Sequence, residues 1–191
     1  MKILITGAAG FIGFSFAKYL LEKDYKIIGL DNLNDYYDVN LKKKRLKQLS
    51  KSNNFKFYKV DLTEKIKIEK IFKNNKIDFV FHFAAQAGVR HSIDHPRKYI
   101  ESNILGFYNL IENVKNHNIK RLFYASSSSV YGENKNFPLN EKQNISPKNI
   151  YALSKKINEE IGLIFNKYYN TKLTGLRFFT VYGEWGRPDM M

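Results

Sequence analysis

The run Gly7-Ala8-Ala9-Gly10-Phe11-Ile12-Gly13 constrains this chain more than any other stretch. A short apolar segment, Lys2–Thr6, leads into it. A segment with helical spacing, Phe11–Glu22, leads out, with Ile12, Phe16, Tyr19 and Leu20 on one face. Glycines at a strand-to-helix junction let the backbone turn sharply and approach a ligand closely. The helix that starts there points free N–H groups and its positive dipole end into the turn. A tight turn without a ligand could use the same glycines. The setting between a first strand and a first helix favours a pyrophosphate cradle.

The rest of the chain keeps the same rhythm. Strands are expected at Ile27–Asp31, Phe55–Val60, Asp78–Ala84, Arg121–Ser126 and Leu173–Phe178. Helices are expected from a cap at Thr63 to about Lys73, over roughly Pro96–Asn116, and over about Ile150–Tyr169. Strands alternating with long helices imply parallel pairing through crossovers, hence an α/β fold with a doubly wound sheet. Ligands of such sheets lie beyond the carboxyl ends of the strands. Asp31 closes the second strand, where a carboxylate can accept hydrogen bonds from both hydroxyls of an adenosine ribose and repel a 2′-phosphate. That favours NAD over NADP.

Composition removes several alternatives. The chain has no cysteine, which excludes disulfides, thiolate catalysis and cysteine-based zinc sites and fits a reducing cytoplasm. No other metal-ligating set stands out. The N-terminus lacks the apolar core of a signal peptide, and no apolar run approaches a membrane span. The net charge of +14 suggests an anionic partner. Its densest stretch, Lys42-Lys43-Lys44-Arg45 with Lys47 and Lys51, reads as the solvated face of a short helix and not as a nucleic-acid surface.

Tyr-x-x-x-Lys recurs at Tyr19/Lys23, Tyr131/Lys135, Tyr151/Lys155 and Tyr168/Lys172. Only Tyr151/Lys155 begins the helix after the fifth strand, beside the strand ends, with both side chains on one face. A phenol of pKa ~10 is a poor base at neutral pH. A neighbouring ammonium favours its phenolate, which can then take a proton from a hydroxyl.

The GxxGxxG spacing resembles the extended short-chain dehydrogenase/reductases. That resemblance implies a Rossmann-type fold, with cofactor contacts from Gly7, Gly10, Phe11, Ile12, Gly13, Asp31 and Asn32. It implies further contacts from Asp61 and Leu62, from Ala84, Ala85 and Gln86, and from Asn103, Tyr151 and Lys155. Counting back from Val130-Tyr131-Gly132, Ser127 matches the family's catalytic Ser/Thr. Longer stretches, including Asp31–Tyr37, Ala84–Arg90 and Leu176–Gly183 with Trp185–Asp189, resemble UDP-glucuronate 4-epimerases. Arg90 and Arg187 then become candidates for the substrate's diphosphate and carboxylate, with Ser127, Ser128, Ser129 and Thr180 as further substrate contacts. Related dehydratases and decarboxylases carry an acidic residue where Ser128 and Ser129 stand, so epimerisation is favoured over elimination or decarboxylation. Residues 1–178 would form the NAD-binding part and residues 179–191 the start of a truncated substrate part. Most of the C-terminal lobe is expected to be absent, with Arg187 dangling at a free end. NAD would bind, UDP-glucuronate would bind weakly, and exposed apolar surface would favour self-association. The helices near Pro96–Asn116 and Ile150–Tyr169 are candidates for a homodimer interface.

Overall fold

A computed structural model describes residues 1–188; Asp189, in the last stretch of the resemblance, lies outside them. The strands are β1 (Lys2–Thr6), β2 (Lys26–Asp31), β3 (Phe55–Lys59), β4 (Phe79–His82), β5 (Arg121–Ser127) and β6 (Leu173–Phe178). They form one parallel sheet in the order β3-β2-β1-β4-β5-β6. The chain steps outward on one side of β1, then crosses back to start again on the other. The strand ends of β1 and β4 therefore border the switch point where such sheets hold ligands.

Alternation along β1 sets the two layers. Leu4 faces a core with Phe107 and Leu110 of α6 (Gly106–Asn116), Ile68 and Phe72 of α3 (Lys65–Lys73), and Phe165 of α7 (Ile150–Tyr168). Ile3 and Ile5 face a smaller core with Phe14 and Ala17 of α1 (Phe11–Leu21) and Leu49 of α2 (Val39–Leu49). A strand buried on both faces reads as a continuous apolar run, which is why KILIT shows no polar alternation.

The helices differ from expectation in four places. Glu64, not Thr63, precedes α3, because both the N–H and the hydroxyl of Thr63 donate to Asp61 Oδ1. The 96–116 region is helical but not uniform: α5 (Pro96–Tyr99) passes through a wide π-helical stretch, Ile100–Leu105, before α6. Between β4 and α5 lies a short α4, His91–Asp94. In α2, Lys43, Lys44 and Lys47 are exposed as expected, as is Lys51 just beyond it, but Lys42 and Arg45 are buried.

Candidate functional site

The glycine turn is held down from both sides. Gly7 N and Ala8 N donate to the carbonyl of Leu30, and Gly10 N to that of Gly7. Gly7 has φ +71, and a Cβ there would lie 2.6 Å from the backbone nitrogen of Ala84. The loop after β1 thus presses directly on the loop after β4. A Cβ on Gly13 would lie 2.1 Å from the Gly7 carbonyl oxygen. No side chain caps α1. Its first-turn N–H groups lack intrahelical acceptors and point into the turn.

The turn opens into a cleft of about 430 Å³ that runs across the strand ends. One end lies beyond β2 and β3. Asp31 Oδ2 accepts from Ala9 N at 3.1 Å and Oδ1 from Leu33 N at 2.9 Å. Burial pushes its carboxyl above the usual range, opposed by the Leu33 N–H and the charge of Lys42. A carboxylate oxygen has two lone pairs, so each still has room for a ribose hydroxyl. Asn32 donates to Asp61 Oδ2 at 2.6 Å. Burial pushes Asp61 up as well. The Thr63 backbone N–H, with the Asn32 and Thr63 side chains, outweighs that and holds it below the usual carboxylate range.

The other end lies beyond β5. Asn149 caps α7 by accepting from Ala152 N at 2.9 Å. That cap fixes where the helix starts, so Tyr151 and Lys155 share a face one turn apart. Lys155 Nζ donates to the carbonyl of Ala125 at 2.8 Å and stands 5.9 Å from the centre of the Tyr151 ring. Burial lowers the Lys155 ammonium to about 8. Ser127 ends β5, and its hydroxyl accepts from Ser129 N at 3.2 Å. Beneath them, Ser126 donates to Glu159, whose carboxylate takes two hydrogen bonds from Arg177. This network joins β5, β6 and α7 at the Ser127 end of the cleft.

The structure brings most of the expected residues to this cleft. Gly7, Gly10, Phe11, Ile12, Gly13, Asp31, Asn32, Asp61, Leu62, Ala84, Ala85, Ser127, Ser128, Ser129, Tyr151, Lys155, Thr180 and Arg187 all line it. Gln86 and Asn103 stand one layer behind. Asn103, in the π-helical stretch, accepts from Gln86 N and donates to Gln86 O and Ser154 Oγ. Its side chain shapes the loop after β4 from inside. Arg90 is exposed and is not among the lining residues. Arg187 does not dangle: its guanidinium lies 5.6 Å from the Tyr36 ring centre, and Trp185 packs on Phe14. Tyr36, Tyr37 and Lys42 also line the cleft and were not expected there. Lys42 Nζ donates to the carbonyl and side-chain oxygens of Asn34. The missed signal is the spacing of Lys42, Arg45, Leu46 and Leu49, which is an inward stripe on a helix.

Residues 3–191 match the NAD dependent epimerase/dehydratase family. The chain belongs to that family. Protein CapI of Staphylococcus aureus is 52% identical over 191 residues, covering 100% of this chain and 57% of CapI. UDP-glucuronate 4-epimerase 4 of Arabidopsis thaliana is 47% identical, covering 100% of this chain and 44% of the plant protein. A crystal structure of UDP-glucuronic acid 4-epimerase from Bacillus cereus, with UDP-glucuronic acid and NAD, is similar with a TM-score of 0.93. That likeness carries 33% identity and covers 99% of this chain and 60% of the other. The chain thus spans between 44% and 60% of the length of these three proteins. Among the described residues, no helix is long and apolar enough to cross a membrane.

Proposed function

We propose that the chain is the cofactor-binding and catalytic part of an NAD-dependent nucleotide-sugar 4-epimerase, with UDP-glucuronate as substrate and UDP-galacturonate as product. The observation that carries this reading is a single cleft joining the glycine cradle and Asp31 at one end to Ser127, Tyr151 and Lys155 at the other. The residues present fit a dinucleotide. The cradle has no space for a Cβ at Gly7 or Gly13. The helix behind it has no side-chain cap. The cleft volume lies in the usual range for ligand sites. Asp31 and Asp61 would hold the adenosine end, and Lys155 the nicotinamide ribose. When bound, NAD would supply a hydride acceptor and donor for C4 of the sugar.

The chain's own residues account for the proton chemistry. Tyr151 takes the proton of the C4 hydroxyl and later gives it back. Lys155 stays largely protonated at neutral pH, given a value of about 8. One of its three N–H groups is committed to Ala125, which leaves others for a ribose hydroxyl. Its positive charge stands 5.9 Å from the centre of the Tyr151 ring, beside the reacting oxygen. Ser127 bridges the reacting oxygen and Tyr151. The oxidised sugar must present both faces in turn, and the short hydroxyls of Ser128, Ser129 and Thr180 can contact either. The acidic side chains among the described lining residues, Asp31 and Asp61, belong to the β2 and β3 ends of the cleft. No carboxylate among the lining residues stands beside Tyr151 to drive elimination or decarboxylation, which supports epimerisation. Arg187 lines the same cleft and would pair with the uronate carboxylate.

On this reading residues 1–178 form the NAD-binding part and residues 179–191 begin the substrate part. A second copy would pair through α6 and α7, where Tyr108, Leu163 and Ile164 are exposed. The cytoplasm is the compartment in which its substrate and its cysteine-free chain fit best. Proton NMR of UDP-glucuronate incubated with the protein and NAD tests the reaction. The expected product is the C4 epimer with its carboxylate intact. A UDP-pentose formed with loss of carbon dioxide would contradict it.

A further inference from the structure

Arg45 has 0% of its surface exposed, on a helix whose neighbouring lysines mostly face water. Its guanidinium reaches in two directions. Nη1 donates to the carbonyl of Ala9 at 2.9 Å and to the Tyr37 hydroxyl at 2.6 Å. Nη2 donates to the carbonyls of Trp185 at 2.5 Å and Gly186 at 3.3 Å. Ala9 sits in the middle of the glycine loop, and its N–H donates to Asp31. Trp185 and Gly186 immediately precede Arg187. One planar group therefore fixes the distance between the phosphate loop and the segment that carries a substrate-facing arginine.

A buried cation is a poor way to gain stability, because its desolvation offsets what it attracts. Arg45 Nε has no hydrogen-bond partner, so this cation is not even fully satisfied. An apolar side chain would pack α2 against α1 at less cost. What an apolar side chain cannot do is hold two separate carbonyl groups in a fixed relation. The second tie on the segment converges on the same place. The Trp185 ring packs on Phe14 with centroids 5.6 Å apart, and Phe14 N donates to the carbonyl of Gly10 in the loop.

We propose that Arg45 is a positioning residue that couples the phosphate loop to the Trp185–Arg187 segment, so that filling the loop and docking the segment favour each other. The proposal rests on reading the cleft as a dinucleotide and nucleotide-sugar site. Coupling of this kind is reciprocal: a ligand that firms the loop firms the segment, and the converse holds.

Trp185 is the chain's single tryptophan, so its fluorescence reports on the segment alone. The experiment measures acrylamide quenching of Trp185 with and without NAD, in the unaltered chain and in Arg45→Lys, with NAD binding followed by calorimetry. Lysine keeps the charge, but one ammonium cannot span both carbonyl groups. In the unaltered chain, saturating NAD should shield Trp185. In Arg45→Lys the emission should shift to the red, quenching should rise, and its dependence on NAD should be lost. NAD should still bind that variant, about 5-fold or more weakly. The proposal is overturned if Arg45→Lys matches the unaltered chain in emission and quenching. It is also overturned if NAD binds the unaltered chain without changing Trp185, a result that decides even where the variant does not fold. Absence of NAD binding to the unaltered chain would overturn the reading of the cleft, and the coupling with it.

Discussion

The ammonium of Lys155 donates to the carbonyl of Ala125 at 2.8 Å, tying α7 to the end of β5 inside the cleft. Burial lowers this lysine from 10.5 to about 8. Between those two values the unfolded chain binds more protons than the folded one, so stability rises with pH across that window. Below about 8 the full cost of burying the charge is present. Lys155→Met should therefore stabilise the fold at pH 7, by on the order of 1 kcal/mol. The advantage should shrink as pH rises towards 10.5. Urea midpoints of both proteins at neutral and high pH check this. A variant less stable at pH 7 would show that the Ala125 bond outweighs desolvation.

Tyr151→Phe removes the proposed base and leaves the cofactor contacts of the glycine loop untouched. Turnover should fall by about 10²–10⁴ with NAD affinity nearly unchanged. Ser127→Ala should cost less, because Tyr151 keeps its place on α7. Steady-state rates beside calorimetry separate the two effects. Near-full activity in Tyr151→Phe would move the base to another residue.

Arg187 lines the cleft and Arg90 does not. Arg187→Ala should weaken UDP-glucuronate selectively against UDP-glucose, by about 1.5–3 kcal/mol for a lost charge-assisted contact. Arg90→Ala should leave both affinities unchanged. Competition binding with the two nucleotide sugars measures the difference. A selective loss from Arg90→Ala would reverse the assignment.

Much of this site was legible because each part depends on a local pattern. The glycine turn needs only a strand before it and a helix after it. Tyr151 and Lys155 need only a helix that starts where Asn149 caps it. What the sequence hid depends on tertiary placement. Lys42 and Arg45 look like members of a solvated basic run until α1 packs across their helix. The π-helical stretch before α6 leaves no periodic signature, yet it sets Asn103 behind Gln86. Arg187 has no local pattern in the sequence that would place it. It is held because Arg45, distant in sequence, reaches the carbonyl groups just before it.

On the proposed reading, Asp31 and the glycine turn form the site for NAD. Asp31 accepts from Ala9 N and Leu33 N, which aims its carboxylate into the cleft. A 2′-phosphate would meet that carboxylate at close range. Calorimetry of the unaltered chain with NAD and with NADP tests this most directly. We predict saturable binding of one NAD per chain and NADP binding weaker by about tenfold or more, the equivalent of roughly 1.4 kcal/mol. Equal affinity for the two, or no binding of NAD, would contradict it.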